Sequence, residues 1–227
     1  MEIIRIEPKR IDAARALASN PRQTVFYCAG VNKINITNGK TKPRILAITD
    51  QSIIYFLNES KPKQHLTCYW TGIKSYSSDE NKLEIDLTFE NTSIKFSSPD
   101  YKQIQIIILD ILRHVLSSDE WTSLQIEEKY TIPKYKDLPS ATGIISRYLS
   151  MLLQMGEESP KGIETQIRDY IATDHRTFQL TNDPEFPKFL IMLGEALKPY
   201  SHLESLIMPN YPNELQMYND LAQILVQ

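Results

Sequence analysis

The change of hydrophobic period at Thr24 constrains this chain more than any other feature. From there to Ser98 the apolar residues alternate instead of recurring every third or fourth place, in short runs separated by turn residues. "TVFYCAGVNKINIT", "RILAIT", "SIIYFL", "QHLTCYW", "IKSYS", "KLEIDLTF" and "TSIKF" read as seven strands in meander order. Asn38-Gly39 marks a hairpin after the first, since both residues tolerate positive φ. Asp50-Gln51 follows the second, and Glu90-Asn91 joins the last two. In "KLEIDLTF", Leu83, Ile85, Leu87 and Phe89 alternate with Lys82, Glu84, Asp86 and Thr88, so one face is dry and the other wet. The period then turns helical. With Ser97 or Ser98 as cap, a helix from near Pro99 carries Ile104, Ile107, Ile108, Ile111, Leu112 and Val115 as a broad stripe that must lie against something.

A seven-stranded antiparallel sheet closed by one C-terminal amphipathic helix is the plan of a pleckstrin-homology (PH) domain. A short helix precedes it at Glu7–Ser19, with Ile11, Ala14 and Leu17 on one side, stopped by Ser19-Asn20-Pro21. After residue 118 the chain turns polar, with Pro133 and Pro139 interrupting it, and reads as a linker. Two helices follow, Ala141–Met155 and then Pro160–Ala172 with Ser159 as cap and Pro160 in the first helical place. "RTFQL" and "HLESLIM" read as short strands, each followed by a helical stretch at Phe186–Leu197 and Glu214–Val226. Leu193/Leu221 and Leu197/Leu225 repeat at a leucine-rich-repeat period, and "LESLIMPN" fits L-x-x-L-x-L-x-x-N loosely. The expected protein is α+β: an N-terminal helix (1–20), a PH-like barrel (21–118), a linker with two helices (119–172), and the cap and first repeats of a truncated leucine-rich-repeat domain (173–227). Two repeats leave a solenoid face open, so the chain is expected to be the N-terminal piece of a longer protein.

In its element order the chain resembles the CARMIL family, large cytosolic regulators of actin filament capping. The likeness is carried by "KTKPRILAITDQSIIYFL", "ATGIISRYLSMLLQM" and "IRDYIATDHRTFQLTNDPEFPKFLIMLGEALKPYSHLESL". The resemblance implies a PH-like module that helps recruit the protein to membranes and a horseshoe of repeats used for protein contacts. The family's capping-protein-binding and dimerising regions lie C-terminal of these residues. The tail-homology region of class I myosins is an alternative relative, also with a PH-like module that binds anionic lipid.

Many phosphoinositide-binding PH domains place a Lys, a loop, then Lys/Arg-x-Arg-x-apolar across their first two strands. Lys33 followed by Lys42-Pro43-Arg44-Ile45-Leu46 satisfies that spacing, and Lys40 sits in the loop. Cations held on a rigid hairpin converge on phosphate oxygens, and Arg adds bidentate geometry. Tyr55, on the third strand, stands where an auxiliary phosphate ligand can lie. Lys61, Lys63 and Lys74 extend the same patch. Pro43 removes a ladder donor at the base of its strand. A specific phosphoinositide site, diffuse attraction to anionic lipid and a plain solvated hairpin all remain open at this point. Trp121 falls after the long helix, where most PH domains carry a tryptophan within it, which reads as a divergent PH-like type.

Charge separates the halves: residues 21–117 hold 12 Lys/Arg against 9 Asp/Glu, the remainder 13 against 19. The overall −3 argues against a nucleic-acid partner. Two cysteines, Cys28 and Cys68, are too few for a disulfide framework and read as core filler in a reducing compartment. The charged N-terminus is unlike a signal peptide, and no apolar run reaches the length of a membrane span. His65, His114, His175 and His202 lack metal-ligand spacing, and no nucleophile elbow, phosphate loop or paired-carboxylate motif occurs. Tyr69 and Trp70 read as a barrel lid or an apolar docking patch.

The expected function is a non-catalytic membrane-recruitment and protein-interaction scaffold module of a CARMIL-like regulator of actin filament dynamics. It would be cytoplasmic and peripheral at the plasma membrane, with no cofactor and no metal. Anionic lipid would contact the PH-like domain, and an unidentified protein the repeats. The alternatives are a protein adaptor that binds no lipid and a class I myosin tail-homology-like module.

Overall fold

Seven strands form where the alternation puts them: β1 (Val25–Ile34), β2 (Thr41–Thr49), β3 (Ser52–Leu57), β4 (Gln64–Tyr69), β5 (Ile73–Asp79), β6 (Glu84–Phe89) and β7 (Thr92–Ser97). They make one antiparallel sheet in the order β4-β3-β2-β1-β7-β6-β5. The computed structural model describes residues 6–19, 23–126, 141–160, 162–172, 176–180, 189–199, 203–207 and 219. Of these, the residues up to Arg113 and 119–126 form one unit, and His114–Ser118 with those from 141 onward form a second.

In the first unit, the apolar runs of β2 and β3 are buried on both sides. Leu46, Ile48, Ile53 and Tyr55 are fully enclosed on one face. On the other, Ile45, Ala47, Ile54 and Phe56 pack with Cys28 under Ala14 and Ala18 of helix α1 (Pro8–Ala18). A strand covered on both faces reads as a continuous apolar run, which is why "RILAIT" and "SIIYFL" alternate so poorly. The contact stripe of α1 is Ile11-Ala14-Ala18, the i, i+3, i+7 spacing of a helix face. Leu17, expected on that side, lies off the stripe and is exposed.

Three local expectations are refined. Asn38-Gly39 does not form a two-residue turn. Residues 35–40 make a longer loop in which Gly39 alone takes positive φ, 67°, closed by Asn35 N to Lys40 O (2.8 Å) and Gly39 N to Asn35 O (2.8 Å). Leu83 is not the first strand residue of its run. It ends the preceding turn at φ 55°, and the alternation Ile85, Leu87, Phe89 begins one step later, all three buried. Ser97 belongs to β7, so the helix start falls to Ser98, whose Oγ accepts the N–H of Asp100 at 3.2 Å.

Helix α2 (Tyr101–Val115) buries Ile104, Ile108 and Leu112, while Ile107 is half-buried. Gln105, buried on α2, donates to Ser78 Oγ of β5 at 3.0 Å. Trp70 is fully buried between β4 and β5; its Nε1 donates to Thr49 O at 2.9 Å and its ring packs on Phe89, as a lid would. In the short helix α3 (Ser118–Ser123), Trp121 lies under the Arg113 guanidinium at 5.2 Å. A seven-stranded antiparallel sheet followed by a helix is an α+β arrangement consistent with a PH-like fold.

The second unit holds α4 (Ala141–Met155), α5 (Ile163–Ala172), β8 (Thr177–Gln179), α6 (Leu190–Leu197) and β9 (Ser205–Ile207). Ile144, Tyr148, Leu152, Ile167, Phe178 and Leu193 share its core. α5 starts later than Pro160, after Gly162 at φ 105°, and Ser159 Oγ donates to Pro160 O instead of capping the helix. β8 and β9 pair in parallel, Thr177 with Ser205, Phe178 with Leu206 and Gln179 with Ile207, an offset of 28 residues. The expected linker beyond 126, His175, His202 and, apart from residue 219, the helix at Glu214–Val226 lie outside the described residues.

Candidate functional site

In an antiparallel meander the β1–β2 loop (35–40) and the β3–β4 loop (58–63) lie at the same end. The register sets which side chains share a face there. Lys33 stands directly opposite Lys42, and Arg44 opposite Val31 and Leu57. With a side-chain period of two, Lys33, Lys42 and Arg44 share the face that Leu46 and Tyr55 occupy further down. Like charges directly opposite one another weaken a strand pair, so this pairing does not serve the sheet.

Lys33 Nζ sits 5.5 Å from the centroid of the Tyr55 ring, a cation–π distance. Burial, then Arg44 and Lys42, hold the Lys33 ammonium below its ordinary pKa. Arg44 donates from Nη1 to Pro43 O at 2.9 Å, while its Nε is buried without a partner among the described residues. Tyr55 is fully buried, edge-on to Phe96 at 6.4 Å, and its hydroxyl also lacks a partner there. Burial pushes that hydroxyl well above the usual tyrosine range. Tyr55 is therefore a floor beneath the cations and has no surface facing solvent. Pro43 is tolerated because β3 pairing starts only at Arg44, leaving a strand on one flank alone.

Lys40, Lys61 and Lys63 are exposed in the two loops, with Glu59 as the acid between them. Among the described residues none of Lys33, Lys40, Lys42, Arg44, Lys61 and Lys63 forms an ion pair. The lysines elsewhere on the barrel behave differently. Lys74 pairs with Glu90 (3.0 Å), Lys82 with Asp79 (3.1 Å), Lys95 with Glu84 (3.1 Å) and Lys102 with Glu80 (2.9 Å). Lys74, expected to extend the patch, belongs to this second group.

Two residues of this end escaped the sequence reading as site members. His65, in β4, is held below its ordinary pKa by burial and by Lys33 and Arg44, so it belongs to the same field. Ile36, in the β1–β2 loop, is 57% exposed. Neither belongs to a motif; strand pairing brings His65 to the cations, and Ile36 lies between Lys33 and Lys40 in the chain.

Other features do not compete. Cys28 and Cys68 are buried, and burial pushes both thiols up to about 11, away from nucleophile or ligand chemistry. Among the described residues no group of three or more His, Cys, Asp and Glu side chains gathers to hold a metal, and no helix is long and apolar enough to cross a membrane. An open hollow of about 540 Å³ between α1 and β1 has Glu7 and Asp100 as its charged lining groups, the wrong sign for an anion.

No family model matches the chain, and no curated protein matches it. Among solved structures, it is similar to the C-terminal domain of an unknown protein from Leishmania infantum, at 15% identity and TM-score 0.34, over 48% of this chain and 98% of that one. It is also similar to the N-terminal PH domain of human ARAP2, at 13% identity and TM-score 0.33, over 42% of this chain and 83% of that one. At such scores neither likeness bears weight, and the PH-like reading stands on strand order and the helix that follows.

Proposed function

We propose that the first unit is a non-catalytic module that attaches the chain to an anionic membrane surface through Lys33, Lys42 and Arg44, with Lys40, Lys61 and Lys63 as a surrounding field. One observation carries this reading: among the described residues, six cations at one end of the barrel lack carboxylate partners, while Lys74, Lys82, Lys95 and Lys102 each hold one. Cations left unpaired and in repulsive register gain from a phosphate-bearing surface at about 1 kcal/mol each.

The second unit supports the wider proposal of a scaffold. The 28-residue offset between β8 and β9, with α6 between them, fits a leucine-rich-repeat unit, and repeats of that kind offer surfaces to protein partners. A lipid-attached module joined to such repeats is the order resembled by CARMIL-like regulators of actin filaments, working at the cytoplasmic face of the plasma membrane.

Co-sedimentation with vesicles tests the lipid proposal. The chain is expected to pellet with phosphatidylcholine–phosphatidylserine vesicles, less so as salt rises, and not with phosphatidylcholine alone. The Lys33→Glu/Lys42→Glu/Arg44→Glu variant should pellet with neither. Undiminished pelleting of that variant, or equal pelleting on both vesicles, sinks the proposal.

A further inference from the structure

We propose that the free edge of β1, beside α1, takes up an extended lysine- or arginine-bearing segment of a partner protein as an added strand. The cations of the proposed lipid surface play no part in it.

β1 pairs with β2 from Val25 to Ile34, yet on its other side it meets β7 only at Asn32–Ser97 and Lys33–Phe96. Two residues further along, the same register sets Pro99 opposite Gly30. Proline has no N–H to give, and the chain turns into α2 there. The ladder shows which groups are left bare. Asn35 N donates to Lys40 O, so, counting back by twos along an antiparallel pair, Lys33, Val31 and Ala29 bond toward β2. Gly30 then directs its N–H and C=O to the opposite edge, and among the described residues neither has a partner. An open strand edge is a template for another strand.

This edge is also housed. Ala29 and Gly30 line the open hollow of about 540 Å³, with Ile6, Pro8, Ile11 and Pro99 as apolar walls. Both charged lining groups, Glu7 and Asp100, are acidic. Glu7 is paired with Arg10 at 3.2 Å. Asp100 is held in place by the Tyr27 hydroxyl, which donates to its Oδ2 at 2.9 Å, and among the described residues no cation pairs with it. In strand addition the main-chain edge gives affinity and the walls take alternate side chains. The unmatched carboxylate makes the choice of a basic segment. An acidic segment is repelled there, and a small amine leaves the strand edge unmet.

The experiment adds a blocked synthetic peptide, acetyl-Val-Lys-Val-Arg-Val-amide, to the isotope-labelled full chain and follows the backbone amide shifts. Changes should gather at residues 28–32, at residues 6–11 and at Ser98 and Asp100. The counterpart peptide with Glu in place of Lys and Arg should cause none. Asp100→Asn keeps an acceptor for Tyr27 and should weaken the basic peptide about two- to fivefold, the worth of one exposed ion pair. Gly30→Pro removes the edge N–H, spares the ladder to β2 and should weaken it about tenfold. If thermal melts show that Gly30→Pro does not fold, Asp100→Asn and the shift map decide. The proposal is overturned if the basic peptide shifts nothing or shifts other residues, or if the acidic counterpart binds equally well. It is also overturned if the folded variants bind like the parent, or if n-butylamine at the same concentration gives the same shifts, which marks an amine site only.

Discussion

Lys42→Glu should make the first unit more stable and its membrane attachment weaker. In the native register Lys33 and Lys42 face each other directly, and the substitution turns a repulsive cross-strand pair into an attractive one. Such pairs are worth about 0.2–1 kcal/mol. Lys42 is exposed and Lys33 half-buried, so solvent screening keeps the gain toward the middle of that range, about 0.5 kcal/mol. For a domain of this size that corresponds to roughly 2–4 °C in Tm. On the membrane side the exchange removes one cation and adds an anion. At about 1 kcal/mol per charge near an anionic leaflet, the loss is about 2 kcal/mol, or roughly thirtyfold in partitioning. Both tryptophans, Trp70 and Trp121, lie in the first unit, so thermal melts followed by tryptophan fluorescence report on it alone. Lys74→Glu is the control: it breaks the ion pair with Glu90 and should leave stability equal or slightly lower, with only a minor effect on binding. A Lys42→Glu variant that melts lower and sediments as before would refute the idea that this register serves an anionic partner.

Two further outcomes follow from the same geometry. Arg147 of α4 is 2% exposed and donates to Glu195 O (2.7 Å) and Val115 O (2.8 Å) within the second unit; Arg147→Met should cost about 2–4 kcal/mol in urea unfolding by circular dichroism, because two carbonyls lose their donors, and a loss under about 0.5 kcal/mol, a typical surface effect, would contradict this role. His65 should titrate below its ordinary 6.5 in the free chain and move upward in Arg44→Gln or when inositol hexakisphosphate binds, followed by imidazole NMR. A lowered folded pKa means that the folded state holds fewer protons than the unfolded one, so this group withdraws stability as pH falls through 6.5 to the lowered value. Its protonation adds a cation to the site, so vesicle binding should strengthen over the same interval. A free-state value at or above 6.5 would show that Lys33 and Arg44 do not act on it.

The strands were legible because a half-buried strand writes its period into the chain, as in Ile85, Leu87 and Phe89. What covers β2 and β3 was not, because continuous apolar runs look the same whatever lies on either face, and Ala14 and Ala18 are too small to advertise a packing stripe. The placement of Lys33, Lys42 and Arg44 on the first two strands was legible by spacing alone. That Lys33 faces Lys42 depends on a register set by a longer loop than Asn38-Gly39 suggested. The inclusion of Lys74 in the patch failed for a related reason: its partner Glu90 is brought to it by β5–β6 pairing, which composition does not record. His65 joins the site only through the third dimension, whereas Ile36 lies between Lys33 and Lys40 in the chain. In the second unit the two short strands in "RTFQL" and "HLESLIM" were legible, whereas the start of α5 was not, since Ser159-Pro160 reads as a helix start and Gly162 moves it.

The most direct measurement is a map of backbone amide shifts on adding phosphatidylcholine–phosphatidylserine nanodiscs to the isotope-labelled chain. The account expects the changes to gather at Lys33, at residues 36–44 and at residues 61–65, and to vanish with phosphatidylcholine alone. Changes centred on α4, α6 or the β8–β9 pair, or none at the two loops, would contradict it.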